Sequence, residues 1–379
     1  MFELEKEEKK VEYLELIYDL IFVYIIGRNN SLLHHVENGF ITGNLFLAYV
    51  LCSMAVIQIW NFSTFYINRY GRNSPRDHVF LFVNMYLLYY MAEGTSAHWQ
   101  SSFYRYNIAW VLILVNIGLQ YLIELRGHAN APWECSQIRR TAAILFAEAG
   151  LVVAHILVYH FTNVSLAFIP ILFGIVATAL SSRTNSLVTV DFAHLTERAM
   201  LYVVFTFGEM IIAVAAYFTG GVTAGNVYFS LMAFLIVAGL FLSYGTLYNH
   251  IIDRELSTNG TGYMLLHVFL IFALNNLTTA LEFMREAEIA LLPKTLFLTG
   301  SFVLYFTFLF LTERYAKKRL RFSRRFRLLL LGIAGSFIAL MLLLRGHMYL
   351  NIAVTVLYIY GIFAMLYLYG KGLRADADR

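Results

Sequence analysis

Asn226-Val-Tyr-Phe-Ser-Leu-Met-Ala-Phe-Leu-Ile-Val-Ala-Gly-Leu-Phe-Leu-Ser-Tyr-Gly-Thr-Leu-Tyr-Asn249 passes without a single Asp, Glu, Lys or Arg. About 20 predominantly apolar residues are what an α-helix needs to cross the hydrocarbon core of a bilayer. Further apolar stretches between polar or Gly/Pro-marked breaks place candidate crossings near 14–33, 43–66, 78–97, 105–123, 141–160, 164–180, 198–218, 226–249, 262–283, 294–312, 327–345 and 349–370. The fold expected is an all-α polytopic membrane protein with about twelve transmembrane helices. The stretch at 164–180 is short and carries Pro170, which a span tolerates only where neighbouring helices satisfy the freed backbone.

The composition supports this reading and excludes a soluble enzyme. Of 379 residues 59% are hydrophobic and 14% charged, with a mean hydropathy of +0.64; soluble domains carry about a quarter charged residues. Twelve crossings leave no length for an extramembrane domain. Two cysteines, Cys52 in an apolar run and Cys135 in a polar loop, offer neither a disulfide framework nor a four-ligand metal site. No metal and no cofactor is expected. The first apolar stretch contains Glu15 and Asp19, so it reads as a retained helix rather than a cleavable signal.

Charge placement sets the expected orientation. With the N-terminus in the cytoplasm, 23 of the 28 Lys and Arg fall in the tail, the even-numbered loops and the C-terminus, as the positive-inside rule requires. Both termini are therefore expected on the cytoplasmic side of a bacterial inner membrane. The basic run Arg314–Arg327 supplies most of the net charge of +4 and reads as an anchor facing anionic lipid, not as a nucleic-acid surface. Trp60, Trp99 and Trp133 read as interfacial anchors.

Twelve helices invite a search for duplication. Sliding the chain by 182 residues places Glu15 on Glu197, Asn44 on Asn226, Thr64 on Thr246 and Tyr66 on Tyr248. Six helices per half bring both halves in from the same side, so the expectation is two parallel six-helix repeats, residues 1–182 and 183–379.

Ionisable groups inside the apolar stretches are the most informative residues, because each costs about 2.5–3.5 kcal/mol on insertion scales. Glu15 and Asp19 are four apart on one helical face. Two carboxylates so close favour a shared proton or a basic partner. Arg28, Asn29 and Asn30 make the other end of that helix polar. The seventh helix opens Asp191-Phe-Ala-His194-Leu-Thr-Glu197-Arg198 and carries Gly208-Glu209 at midplane depth, where Gly208 would let another helix or a substrate approach. Glu93, Glu148, His155, Asn61, Asn116 and Asn275-Asn276 add polar capacity. The plainer reading of any of these is hydrogen-bonded helix glue, worth about 0.6 kcal/mol per bond. The candidate substrate- or proton-binding residues are Glu15, Asp19, His194, Glu197, Arg198 and Glu209, with Glu209 expected to line a cavity and to face polar groups of the first helix such as Asp19.

At these residues the chain resembles the bacterial low temperature requirement A family of integral membrane proteins. The opening signature of that family, E-L-F-[FY]-D-L-V-F-V, is similar to Glu15-Leu-Ile-Tyr18-Asp19-Leu-Ile-Phe22-Val23. Its H-x-x-E-R followed by G-E is similar to His194-Leu-Thr-Glu197-Arg198 and Gly208-Glu209, and its aromatic stretch ending in N-R-[FY] resembles Trp60 to Tyr66 and then Asn68-Arg69-Tyr70. The chain departs from the pattern at Gly71-Arg72-Asn73, where the family usually has acids, and at Met210, where it has a small hydroxyl residue. The resemblance names a family and no substrate.

Three functions compete. A transporter of a small solute or ion between two six-helix halves, with proton coupling through Glu209, Asp19 or Glu15, fits best. A cation channel rests on a loose likeness of Tyr18-Asp19 to the F-S-D of six-plus-six potassium channels. A membrane-embedded enzyme acting on lipid or a lipid-linked substrate would need a surface constellation such as His194, Glu197 and Arg198, or His34-His35-x-Glu37. No Walker A sequence is present, and the catalytic residues are left unassigned. The partners implied are membrane lipids and an unidentified small solute, ion or lipid, with no nucleic acid; a homo-oligomer is compatible with this reading.

Overall fold

The structure is a computed structural model and describes residues 9–96, 99–128, 130–184, 190–215, 217, 221–284, 286 and 288–375. The tail before Lys9 and the side chain of Trp99 lie outside the described residues. Among the described residues the secondary structure is helical apart from one small hairpin and an isolated bridge between Ile252 and Ala316. Its helices are α1 (Tyr13–Asn30), α2 (Gly43–Tyr70), α3 (Pro75–Glu93), α4 (Trp99–Glu124), α5 (Pro132–Thr162), α6 (Phe168–Thr184), α7 (Phe192–Ala215), α8 (Ala224–Thr246), α9 (Thr261–Phe283), α10 (Leu291–Leu311), α11 (Arg324–Leu343) and α12 (Met348–Ala375). Nine helices among the described residues are long and apolar enough to cross a membrane.

Local chemistry explains where these helices begin. Ser74 caps α3, its hydroxyl accepting from the Asp77 amide while Asp77 reaches back to the Ser74 N–H, and Pro75 occupies the first helical position. The Thr223 hydroxyl caps α8 by accepting the Asn226 N–H, and the Ser323 hydroxyl caps α11 by accepting the Phe326 N–H. Asn163 ends α5 in the left-handed conformation. Between α1 and α2, Val36–Glu37 pairs with Phe40–Ile41 around Asn38-Gly39, both at positive φ, the backbone that an Asn-Gly hairpin turn requires.

Several expectations change. α5 starts at Pro132, nine residues ahead of the expected boundary, because Pro132 suits a first turn; Cys135 therefore sits in a helix, not in a loop. Pro170 falls in the first turn of α6, where its missing N–H costs no helical bond, so it interrupts nothing. Trp60 is no interfacial anchor: it is fully buried in mid-α2. Trp133, half exposed at the start of α5, keeps a position an anchor would have. A Cβ built on Gly208 would meet nothing within 4 Å, so no helix packs close against it.

The chain divides into two compact units, each with its own core. The first comprises Met1–His35, Thr42–Leu201 and Glu255–Val268; the second comprises Val36–Ile41, Tyr202–Arg254 and Phe269–Arg379. In the first, α4 packs on α3 and α5, α1 on α2 and α3, and α6 on α2 and α5. Its core is aromatic, with Tyr18, Tyr49, Trp60, Tyr66, Phe103 and Trp110 all essentially inaccessible. In the second, α12 packs on α8 and α11, and α11 on α10. Leu328, Leu329, Leu331 and Leu343 of α11 point outward, the apolar face that contact with lipid tails requires.

Candidate functional site

Asp191 starts the site. Its carboxylate Oδ1 accepts the His194 N–H at 3.1 Å, capping α7. Its own N–H donates to Asn68 Oδ1 at 3.1 Å, and its carbonyl accepts from Asn68 Nδ2 at 2.8 Å. Those two backbone contacts fix which way the Asn68 amide points. Asn68 Nδ2 therefore also donates to His194 Nδ1, at 3.0 Å. A ring nitrogen that accepts carries no proton, so His194 is the neutral tautomer with its N–H on Nε2. That Nε2 faces Glu15 Oε2 at 3.4 Å.

One turn on, Arg198 is wholly buried between the two acids of α1. Its Nη2 donates to Asp19 Oδ1 at 2.5 Å, and its Nε lies 3.3 Å from Glu15 Oε2. The first contact is an aligned hydrogen bond; the contacts to Glu15 are at ion-pair distance without hydrogen-bond alignment. Trp60 Nε1 donates to the same Asp19 oxygen at 2.9 Å, and Tyr18 shares a 2.7 Å hydrogen bond with Ser63. Arg198 Nη1 and Asp19 Oδ2 are left without a hydrogen-bond partner among the described residues. Arg198 thus lies against two carboxylates, Glu15 and Asp19. Lys9 stands close enough to act on Glu15.

Lys9 closes the end of the network. Its ammonium donates to the carbonyls of Ile67, Asn68 and Gly71, the last at 2.8 Å, and so caps the C-terminus of α2. It lies outside the helices, and burial holds its ammonium below the ordinary lysine range. Beside it opens a cavity of about 910 Å³ whose walls include Lys9, Glu12, Glu15, Tyr66, Arg72 and Asp77. Glu15, at ion-pair distance from Arg198, lines this cavity together with Lys9. On the cavity wall, Asp77 accepts from the Arg72 N–H at 3.1 Å, and Tyr66 Oη shares its single proton between Asp77 at 3.3 Å and Glu124 at 3.0 Å; Glu124 in turn pairs with Arg76.

Of the expected residues, Glu15, Asp19, His194 and Arg198 come together in the first unit. Glu197, half-buried on α7, makes no hydrogen bond or ion pair with them among the described residues. Glu209 belongs to the second unit, half-buried on the later turns of α7, with Glu282 near enough to act on it. His34, His35 and Glu37 are exposed. Elsewhere in the first unit, Arg28 pairs with Glu93 at 4.0 Å, and Asn116 donates to Asn84 at 2.9 Å, both ties between helices. Sequence reasoning missed Asn68, Asp191 and Lys9 as parts of the site. The signal available for the first two was their place beside those stretches, Asn68 opening N-R-Y and Asp191 standing three residues ahead of H-x-x-E-R; Lys9 had none.

The family model of the bacterial low temperature requirement A protein (LtrA) matches residues 10–360. The chain belongs to the LtrA family. The matched span takes in α1, the end of α2 and the start of α7, the three elements that build the ion network. Searches among curated proteins and among solved structures found no match to this LtrA chain.

Proposed function

We propose that this LtrA protein moves a small solute or ion across a bacterial inner membrane, and that Glu15 is where the moving species, or a proton coupled to it, meets the buried ion network. The observation that carries this reading is the double membership of Glu15, which lines the 910 Å³ cavity and lies at ion-pair distance from both His194 and Arg198. Charge arriving in the cavity is felt at Glu15, and Glu15 shares Arg198 with Asp19. Neutralising Glu15 frees part of the arginine's attraction and strengthens its hold on Asp19, so a local event at the cavity alters how α7 is held against α1. Two unpartnered buried atoms, Arg198 Nη1 and Asp19 Oδ2, give the network capacity for a further hydrogen-bonding species.

All twelve helices cross the membrane, both termini are cytoplasmic, and residues 1–182 and 183–379 are parallel repeats. Glu209 supplies a second acid on the transport route. Membrane lipids and the transported species are the partners, and self-association is compatible with the scheme. Burial of His194 and Arg198, together with the absence of Glu197 from their network, disfavours a surface catalytic constellation.

The test is flux in proteoliposomes loaded with the pH dye pyranine and challenged with panels of inorganic cations, amino acids, sugars and organic acids. Protein-dependent movement of at least one solute, with or without protons, is expected. Lipid turnover by the purified protein, without flux of any solute, would replace this reading with the enzyme.

A further inference from the structure

Glu148 is fully buried at mid-length of α5, about 24 Å along the axis from Pro132. Among the described residues its one hydrogen-bonding neighbour is an amide: Gln58 Nε2 of α2 donates to Glu148 Oε2 at 3.3 Å. Among the described residues no Arg, Lys or His forms an ion pair with it. The ionisable groups on the surrounding helices make their contacts elsewhere, with Arg69 Nε and His155 Nε2 left without a hydrogen-bond partner among the described residues. Arg69 lies over the Phe65 ring at 5.2 Å, and His155 Nδ1 accepts the Leu166 N–H at 3.1 Å. Tyr106 donates to the Cys52 carbonyl at 3.1 Å, Tyr121 donates to the Phe62 carbonyl at 3.4 Å, and His267 Nδ1 bonds the Tyr263 carbonyl at 2.9 Å. A bare carboxylate here would face the full cost of a buried, unpaired charge.

The unsatisfied atoms say what relieves that cost. Glu148 Oε1 and Gln58 Oε1 are both buried acceptors without a donor. A proton on the carboxyl removes the charge and supplies the one donor that this acid–amide pair lacks. The backbone is shaped to hold the pair, because a Cβ at Gly174 of α6 would overlap both Gln58 Nε2 and Glu148 Oε2.

A seam of polar groups set among apolar ones reaches the Gln58 side of the pair. A cavity of about 30 Å³ touches Gln58, Asn61, Gly174, Thr178 and Thr261, and a second of about 40 Å³ shares Phe62, Thr178 and Thr261 with it. The second continues to Gln137, Asn259 and Arg69, where α5 begins, α9 is about to begin and α2 ends. Both are large enough for a water molecule. Asn61 Oδ1, Thr178 Oγ1 and Gln137 Oε1 along the route lack hydrogen-bond partners, the acceptor capacity that a chain of waters needs.

We propose that Glu148 is a proton-binding site of the first unit, loaded along this seam from the end marked by Arg69, Gln137 and Asn259. The step is Glu148–COO⁻ + H⁺ ⇌ Glu148–COOH, with bulk water as donor and acceptor. It stands apart from the Glu15 network and holds whatever the chain transports.

Infrared difference spectroscopy of the full-length protein in nanodiscs tests it. The wild type at neutral pH should show a carboxylic acid C=O band that Glu148→Gln removes. Glu148→Asp, which keeps an acid, should move the band, and decides the assignment if Glu148→Gln fails to fold. Transfer into ²H₂O should shift the band, and Thr178→Val, which keeps the shape and removes one hydroxyl from the seam, should slow that exchange about tenfold, as loss of one hydrogen bond along the route would. A wild-type spectrum with no acid band attributable to residue 148 would overturn the proposal. A band that never responds to ²H₂O while the loop amides exchange would overturn it too, leaving a sealed acid–amide tie.

Discussion

Arg198 and Asp19, 179 residues apart in sequence and both wholly inaccessible, are joined by a 2.5 Å hydrogen bond from Nη2 to Oδ1. Breaking such a pair leaves an uncompensated buried charge, at a cost of about 3–5 kcal/mol, whereas removing both charges together costs far less. Arg198→Met and Asp19→Asn should each lower stability by roughly this amount in reversible detergent unfolding. The double variant should cost less than the sum of the two, recovering the share of the loss that belongs to Asp19 while Glu15 still lacks its guanidinium. Simple addition of the two losses would show that the pair is not coupled.

Lys9 gives a pH dependence of defined sign. Burial depresses its folded-state value below the 10.5 of an ordinary lysine, so between those limits the unfolded chain holds a proton that the folded chain has released. Stability therefore rises with pH across that window, and Lys9→Met should remove this part of the rise. Thermal midpoints of the two proteins against pH check it. A wild-type advantage that shrinks as pH climbs toward 10.5 would contradict the sign.

Gly174 and Gly208 are both helical glycines with opposite surroundings. Gly174→Ala drives a methyl group into Gln58 and Glu148 and should destabilise by about 1–3 kcal/mol. Gly208→Ala meets nothing within 4 Å and should gain up to about 1 kcal/mol from helix propensity. Thermal unfolding of the two variants side by side distinguishes a space-limited site from an open one, and equal effects would refute the contrast.

Reporter fusions after Arg126 and after Arg374 should both signal cytoplasm, as the distribution of basic residues requires. A periplasmic signal from either one means that the count of crossings between them is odd.

The helices were legible because apolar length is a property of local sequence, and each of the twelve expected stretches overlaps one observed helix. Boundaries shifted where capping chemistry outweighed hydrophobicity, as at Pro132 and at Ser74-Pro75. The shared face of Glu15 and Asp19 was also legible, since four-residue spacing fixes it. Their partner was not: helical spacing says nothing about a guanidinium 179 residues away. Trp60 misled for a related reason. Frequency places tryptophan at interfaces, but its indole N–H is the donor that a buried Asp19 needs. Lys9 was illegible because a lysine in a charged tail carries no pattern, and its role arises only where the end of α2 offers three carbonyls.

The measurement that bears most directly on the account is solute flux through Glu15→Gln in proteoliposomes, run beside its thermal stability. The substitution keeps the shape of the side chain while removing the charge that faces both the cavity and Arg198. The account predicts that flux is abolished, or loses its pH dependence, while the Arg198–Asp19 bond keeps the protein folded with only a modest drop in stability. Unchanged flux accompanied by a large loss of stability would contradict it and leave Glu15 as part of a structural clamp between α1 and α7.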